Sequence, residues 1–584
     1  MGTARILRIR AILAFSFTLC LILLCTQPSF ADDNPPARAA RISYLKGKVS
    51  FQPARQDQWS EATLNFTVTT GDRLYTDKGA RAEFEVGPYT VRLAEQTDLI
   101  VTNLNDQIMQ LGLEQGTLRL SVYELSSDNT VEVDTPHAAL SILAPGAYRA
   151  HADPDANRTL VSVNSGSLEL SAEGISQTLQ AGEAVELTGE SLIQAASIPM
   201  PPLDSFDRWS EQRDARLSAA ASAKYVSRGI AGYDDLDDYG RWEEVAEYGP
   251  VWYPTGLAPG WVPYRFGHWA WVDPWGWTWV EDEPWGFCPF HYGRWVFIGT
   301  AWGWLPGPYV PLPVYTPALV AFVGGPGFSV AVGVGAVELA AWFPLGPDEP
   351  FFPWYHYSGD YLRVVNITNI TNINDIKSVN YRYRTIAATA VPANVFSSGQ
   401  PVAHHIVRVP PEGLARAPVI PHPAVNPTVR AALPGKPVPA PPVAARVVPA
   451  RAPTSTAAAR RDVRPPPAVA ERKLPPPENN RGATPHPTEP TRPPAHIIAP
   501  PRETLPPLVT RSAPPTPHVP FAERRPLMSE HPGRPLEPHQ LENLRAGRPP
   551  GPMADHEFPP HVVPVPRERA VPMPPPPQPP RRKP

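Results

Sequence analysis

The sequence predicts an all-β fold: an antiparallel β domain, then a tryptophan-rich β-hairpin repeat domain, then a disordered proline-rich C-terminal tail. Three observations predict it. Short runs of alternating apolar and polar residues, bounded by Gly, Asp or Asn, extend from Arg41 to Gly189. Of the 16 tryptophans, 14 fall between Trp242 and Trp354. After Pro401 prolines recur roughly every three or four residues, with interspersed Arg and few aromatics.

The chain opens with Arg5, Arg8 and Arg10, an apolar run from Ala11 to Cys25, and a Ser29-Phe30-Ala31 small-x-small site. That order predicts a secretory signal peptide over residues 1–31. The run is shorter than the roughly 20 apolar residues of a membrane span, so cleavage is favoured over a retained anchor and no transmembrane helix is expected in the mature chain. The expected location is the periplasm or cell envelope. Cleavage removes Cys20 and Cys25 and leaves Cys288 alone, so no intramolecular disulfide can form and stability must come from burial. The net charge of −4 is a cancellation between an acidic body and a basic tail.

In the β domain, residues 41–190, Arg81-Ala82-Glu83-Phe84-Glu85-Val86, Thr90-Val91-Arg92-Leu93 and Thr130-Val131-Glu132-Val133 each place apolar residues on one parity. One sheet face is therefore expected to be buried and the other wet. Gly47, Gly116 and Gly166 each stand just before a strand, and Gly71 and Gly182 each precede an acid, as tight turns of positive φ require. A glycine-valine opening, Gly71-Asp72 with Leu74 and Thr76, Arg81-Ala82, Val131-Glu132-Val133-Asp134-Thr135-Pro136, Gly146 with Tyr148-Arg149, and Ala181-Gly182-Glu183 together resemble the FecR domain. The resemblance implies a β-rich periplasmic module. The family's namesake relays a trans-membrane signal through a cytoplasmic N-terminal segment and a retained helix. Only about ten residues precede the apolar run here, so the module alone carries over.

A connecting helix is expected within 204–226, with Asp204 as N-cap and Phe206, Trp209 and Arg213 on one side. The acidic run Asp234–Asp238 then leads into the repeat domain, residues 232–400.

There the phrase aromatic-glycine-basic-tryptophan occurs three times, as Tyr239-Gly240-Arg241-Trp242, Phe266-Gly267-His268-Trp269 and Tyr292-Gly293-Arg294-Trp295. In each unit a further tryptophan follows about ten residues later: Trp252, Trp279 and Trp304. Asp273-Pro274-Trp275-Gly276 predicts a type I turn closing a three-residue hairpin loop, with Trp271 opposite Trp279. Trp269 and Trp277 share that face, while Ala270, Val272 and Thr278 point the other way.

Two readings of the aromatic face stay open. Burial would offset the chain entropy of a Gly- and Pro-rich module without disulfides, since each buried tryptophan removes about 150 to 250 Å² from water. Alternatively Trp269, Trp271, Trp277, Trp279, Trp295 and Trp304 form an open ligand platform for sugar rings, with Arg241, His268 and Arg294 at its rim. This stretch also resembles a tryptophan-rich domain of unknown function that follows FecR domains in proteobacterial exported proteins, on the phrases above and on Glu283-Pro284-Trp285-Gly286, Ala341-Trp342-Phe343-Pro344-Leu345-Gly346-Pro347 and Pro353-Trp354-Tyr355. It implies no chemistry. The asparagine-rich stretch Asn366–Asn374 is expected as an edge strand or loop.

The tail, residues 401–584, lacks backbone donors and has little apolar surface, so it is expected to be disordered, with local polyproline II. Its arginines suit an anionic envelope surface.

No Walker loop, Rossmann fingerprint, Gly-x-Ser-x-Gly elbow or paired-cysteine metal site occurs. His404-His405 lacks a third ligand, Cys288 beside His291 reads as an inert thiol, and Glu281 with Glu283 as an ordinary charged hairpin end. The expectation is a non-enzymatic periplasmic or envelope interaction or scaffold protein, without cofactor and without a nucleic-acid partner. Glycan binding through exposed tryptophans, on peptidoglycan for example, and a membrane-retained signalling role of the FecR type are the alternatives.

Overall fold

The computed structural model describes residues 34–443, 451 and 507–549, apart from 55, 190–191, 311–312, 326, 333–334, 367–380 and 517. The leader 1–31 lies outside the described residues. No helix among the described residues is long and apolar enough to cross a membrane. The fold is mostly β, and every pairing between strands is antiparallel except that of Thr130–Asp134 with Ile108–Val122.

The first domain is organised by the 15-residue strand Ile108–Val122. Its first half pairs with Thr97–Leu104 and Thr130–Asp134, and its second half with Tyr89–Leu93 and Gly146–Asp153, so one strand belongs to two sheets. The change of sheet falls at Gly116, where φ is +87° and a Cβ would come within 2.4 Å of Thr97 Oγ1. Only glycine fits this bend.

The apolar parity packs inward as Ala82, Phe84, Val91, Leu93, Leu118 and Leu120. The polar parity, expected to face water, is buried too: Glu83 and Arg92 are 0% exposed. The cover is the helix Ser205–Ala219. Asp204 caps it, accepting from the Phe206 and Asp207 amides at 2.7 and 2.9 Å. Across three adjacent strands Arg92 stands opposite Arg119 and Arg119 opposite Arg149. Asp204, Asp207, Glu211 and Asp214, spaced along one side of the helix, meet this row. The pairs are Arg149–Asp204 at 2.8 Å, Arg119–Asp207 at 3.1 Å, Arg119–Glu211 at 3.6 Å and Arg92–Asp214 at 2.5 Å. The connector is thus a clamp over the sheet.

In the second domain each of the three phrases opens a hairpin, and its tryptophan faces the later one across the strands: Trp242 with Trp252, Trp269 with Trp279, Trp295 with Trp304. The first and third hairpins join through Trp252 opposite Trp304, which sets Trp242, Trp252, Trp304 and Trp295 in one row over a four-stranded sheet. The second hairpin corrects the expected register. Trp271 faces Trp277, not Trp279, and Val272 pairs with Gly276, so the loop is Asp273–Trp275. The Asp273–Pro274 peptide is cis, so this is no type I turn. Trp275 leaves the ladder to pack at 4.8 Å on Tyr315, which moves the loop back by one residue and the register by two. A shift of two keeps every side chain on its face.

A further sheet places Val320–Val323 between Gly335–Pro344 and Val419–Ile420, with Thr389–Pro392 beyond. Helix Gly359–Asn366 ends at the asparagine-rich stretch, whose residues 367–374 lie outside the described residues.

Packed chain continues past 401, where disorder was expected to begin. Residues 401–443, 507–516 and 518–549 lie on the body, while 444–450, 452–506, 517 and 550–584 lie outside the described residues. Scattered apolar residues between the prolines find seats: Val402, Leu414, Leu508, Val509 and Phe521 are all buried. Pro437–Val438 adds an edge strand beside Trp59–Glu61, a place where a missing N–H costs little.

Candidate functional site

The tryptophans that were candidates for an open platform are all in the core. Trp277, Trp279 and Trp304 are 0% exposed, Trp269 and Trp295 1%, and Trp271 3%. No open platform forms, because later chain covers it: the Trp269 ring lies 5.4 Å from those of Phe322, Trp342 and Phe396. Several indole N–H groups are satisfied internally, as in Trp252 to the Leu236 carbonyl at 2.9 Å and Trp304 to that of Tyr292 at 2.8 Å.

The basic position of the repeated phrase has three different fates. Arg241 is exposed and pairs with Glu243 at 2.7 Å. His268 is half-buried on the second hairpin, where desolvation and the nearby Arg430 hold its pKa down to about 4, so it is neutral near pH 7. Arg294 is 3% exposed. Its Nε donates to the Glu349 carbonyl at 3.3 Å, Nη1 to the Gly293 carbonyl at 2.9 Å and Nη2 to Asn366 Oδ1 at 3.3 Å. It makes no ion pair among the described residues, and burial lowers its pKa to about 10. The Glu349 carboxylate is engaged elsewhere, accepting from the Gly346 and Arg382 amides at 2.7 Å each.

Two concavities bear on function. A cleft of about 1200 Å³ on the first domain is lined by Lys46, Arg81, Glu95, Arg149, His151 and Asp204, a wet mixture of both charges. A smaller pocket of about 220 Å³ lies in the second domain, with Arg294 and His291 among its lining residues and Tyr225, Ile230, Leu319 and Val365 on its walls. His291 Nδ1 lies 2.7 Å from the Thr316 carbonyl, and burial holds the ring's pKa down to about 3, so it is uncharged.

Other candidate groups lack the environment for chemistry. Burial pushes the Cys288 thiol well above its ordinary pKa, which removes the thiolate. Glu281 is likewise pushed far up by burial and accepts from Trp279 Nε1 at 2.8 Å. Among the described residues no group of three or more His, Cys, Asp or Glu side chains could hold a metal ion.

The model of the Family of unknown function (DUF6600) matches residues 233–349. That span holds the three hairpins, Arg294 and most of the tryptophan core. No curated protein matches the chain. Two crystal structures of a "putative anti-sigma factor" from Parabacteroides distasonis ATCC 8503 are similar at 17% identity, each with a TM-score of 0.19. Each match covers 22% of this chain and 60% of that one, so this chain spans about three-fifths of that protein's length.

Sequence reasoning missed two features. The acidic stripe at 204, 207, 211 and 214 was visible as helical spacing. The burial of Arg294 had no local signal, because Arg241 carries the same phrase and is exposed.

Proposed function

We propose that the protein is a non-enzymatic interaction and scaffold protein of the cell envelope, exported by its leader, in which a FecR-like module receives a partner along an open sheet edge. The observation that carries this reading is a contrast between edges. Trp59–Glu61 and Val320–Val323 are covered by the chain's own strands Pro437–Val438 and Val419–Ile420. Among the described residues, Ile175–Gln180 pairs only with Ser167–Ala172 and Gln194–Ile198 only with Ala184–Thr188. An open edge presents N–H and C=O groups that an extended segment of another envelope protein can complete. Glycan binding through an open tryptophan face is not proposed, since those rings are buried.

A photo-crosslinking residue at exposed Thr178, in cells carrying the full chain, is expected to yield a discrete adduct with an envelope protein, lost when Gln177 is changed to Pro. An adduct no stronger than that from loop residue Glu173 would sink this reading. Mass spectrometry of the same material tests export: a mature chain beginning at Asp32 supports it, and an intact leader would instead favour a membrane-retained signalling role. The basic remainder of the tail then serves to approach anionic envelope surfaces.

A further inference from the structure

Arg294 is a cation taken out of water that makes no direct ion pair among the described residues: the Glu349 carboxylate attracts it from nearby but is itself held by the Gly346 and Arg382 amides. Burying an ionised group without a partner costs several kcal/mol, and proteins ordinarily neutralise such a group with a carboxylate. Here its three hydrogen-bond acceptors are two carbonyls and an amide oxygen, all uncharged. A guanidinium carries five N–H donors, so two remain, the number that a carboxylate takes in a bidentate pair. The residue lines the pocket of about 220 Å³, whose walls are apolar: Tyr225, Ile230, Leu319 and Val365, with Val364 and Tyr309 at the mouth, 50% and 61% exposed.

We propose that this pocket binds a small organic monocarboxylate, its carboxylate on Arg294 and its apolar body against Ile230, Leu319 and Val365. The volume lies below the roughly 300 to 1000 Å³ of pockets for drug-sized ligands, which limits the occupant to a short aliphatic or single-ring acid. One positive charge is available, because the neighbouring His291 ring is neutral, so a monoanion is matched and a phosphate dianion is not. The phrase itself marks the specialisation. Its basic residue is solvated and ion-paired at Arg241 but enclosed and bonded only to neutral acceptors at Arg294, so the third hairpin differs here from the first.

The test titrates the full chain with phenylacetate, read by tryptophan emission and by saturation-transfer NMR. Saturable binding is expected, about tenfold or more tighter than for phenylacetamide, since a charge-assisted pair contributes more than a neutral one. Val364→Trp, at an exposed position that folding tolerates, is expected to weaken binding about tenfold or more by filling the mouth. Arg294→Met is expected to erase the preference for the acid over the amide. The proposal is overturned if phenylacetate does not bind, if phenylacetamide binds equally well, if inorganic phosphate displaces phenylacetate at equal concentration, or if V364W binds unchanged. Should R294M fail to fold, the acid–amide comparison on the natural chain and V364W still decide.

Discussion

Arg92 on the first domain's sheet and Asp214 on the helix Ser205–Ala219 lie 2.5 Å apart, and this contact ends a row in which three arginines stand side by side on adjacent strands. Like charges directly opposite one another destabilise a sheet. The row persists because Asp204, Asp207, Glu211 and Asp214 of the helix lie over it. Asp207 reaches both Arg119 and Arg149, and also accepts from the Asp204 amide in the capping box. Asp207→Ala is therefore expected to destabilise the full chain by about 3 to 5 kcal/mol, as breaking a buried pair does, with urea denaturation as the check. A loss below about 1 kcal/mol would show that solvent, not the helix, screens the arginines.

Two buried carboxylates nearby titrate in opposite directions. Burial disfavours ionised Glu83, but Arg92 and Arg213 outweigh it and hold its pKa down to about 2. Its stabilisation is present above the unfolded-state value near 4.5 and is lost as pH falls from there through about 2. Asp234 is pushed up to about 8 by burial and by Glu85 and Asp235. Its stabilising effect is complete below about 4 and is lost as pH rises through about 8. Thermal melts of Glu83→Gln should thus lose the acid-side slope, and Asp234→Asn should gain on the natural chain progressively as pH rises from about 4 to about 8, with no further gain above that. A D234N chain with an unchanged slope between about pH 4 and pH 8 would contradict this.

The β class and the turns were legible because they depend on neighbours in sequence: alternation gives the apolar parity, and Gly47, Gly71, Gly116, Gly166 and Gly182 all adopt positive φ. Asp204 was legible as a cap for the same reason. What stayed hidden was whatever covers a face. The parity holding Glu83 and Arg92 reads as solvated until a helix over a hundred residues away lies on it, as in the Arg92–Asp214 separation of 122 positions. Likewise the sequence favours a core place for Trp269 but leaves a platform open until Phe322, Trp342 and Phe396 arrive. Facing tryptophans were visible as a spacing of about ten residues, whereas the detailed register of the second hairpin turned on the packing of Trp275 against Tyr315.

Gly232 and Gly174 make a matched pair, with φ of +80° and +72°. A Cβ on Gly232 would come within 1.8 Å of Arg41 Nη1, while Gly174 has nothing within 4 Å. Arg41 is held by Asp235 and Glu85 and is buried, so Gly232→Ala must displace a paired guanidinium. Its expected cost is about 3 kcal/mol or more, against about 1 to 2 kcal/mol of backbone strain for Gly174→Ala. Equal losses in parallel denaturation curves would remove Arg41 from the account.

The aromatic core predicts a fluorescence signature. With Trp252, Trp269, Trp275, Trp277, Trp279, Trp285, Trp295, Trp304 and Trp342 all under 2% exposed, emission of the full chain should be blue-shifted and unchanged by peptidoglycan fragments. Trp269→Ala should cost about 3 to 5 kcal/mol. A quench that saturates with glycan would reinstate an aromatic binding face.

The tail's return to the body turns on Glu132. This carboxylate accepts from the Arg511 amide at 2.9 Å, the Ser512 amide at 3.1 Å and the Ser512 hydroxyl at 2.9 Å. Burial opposes its ionisation, yet hydrogen bonds from Asp134 and Ser512 win and lower its pKa, while burial and the neighbouring Glu132 push Asp134 well up. Beside this anchor Leu508 and Val509 are buried, and farther along Arg524 pairs with Asp273 at 3.0 Å, bringing the tail onto the second hairpin's loop. Glu132→Ala removes the acceptor for two backbone amides at once but leaves the apolar seats intact. Hydrogen exchange of the Arg511 and Ser512 amides should accelerate about tenfold or more, equivalent to about 1.4 kcal/mol or more of local stability, with strand Ile108–Val122 still protected. If both regions lost protection together, the segment would be part of the cooperative core and not a strap laid over it.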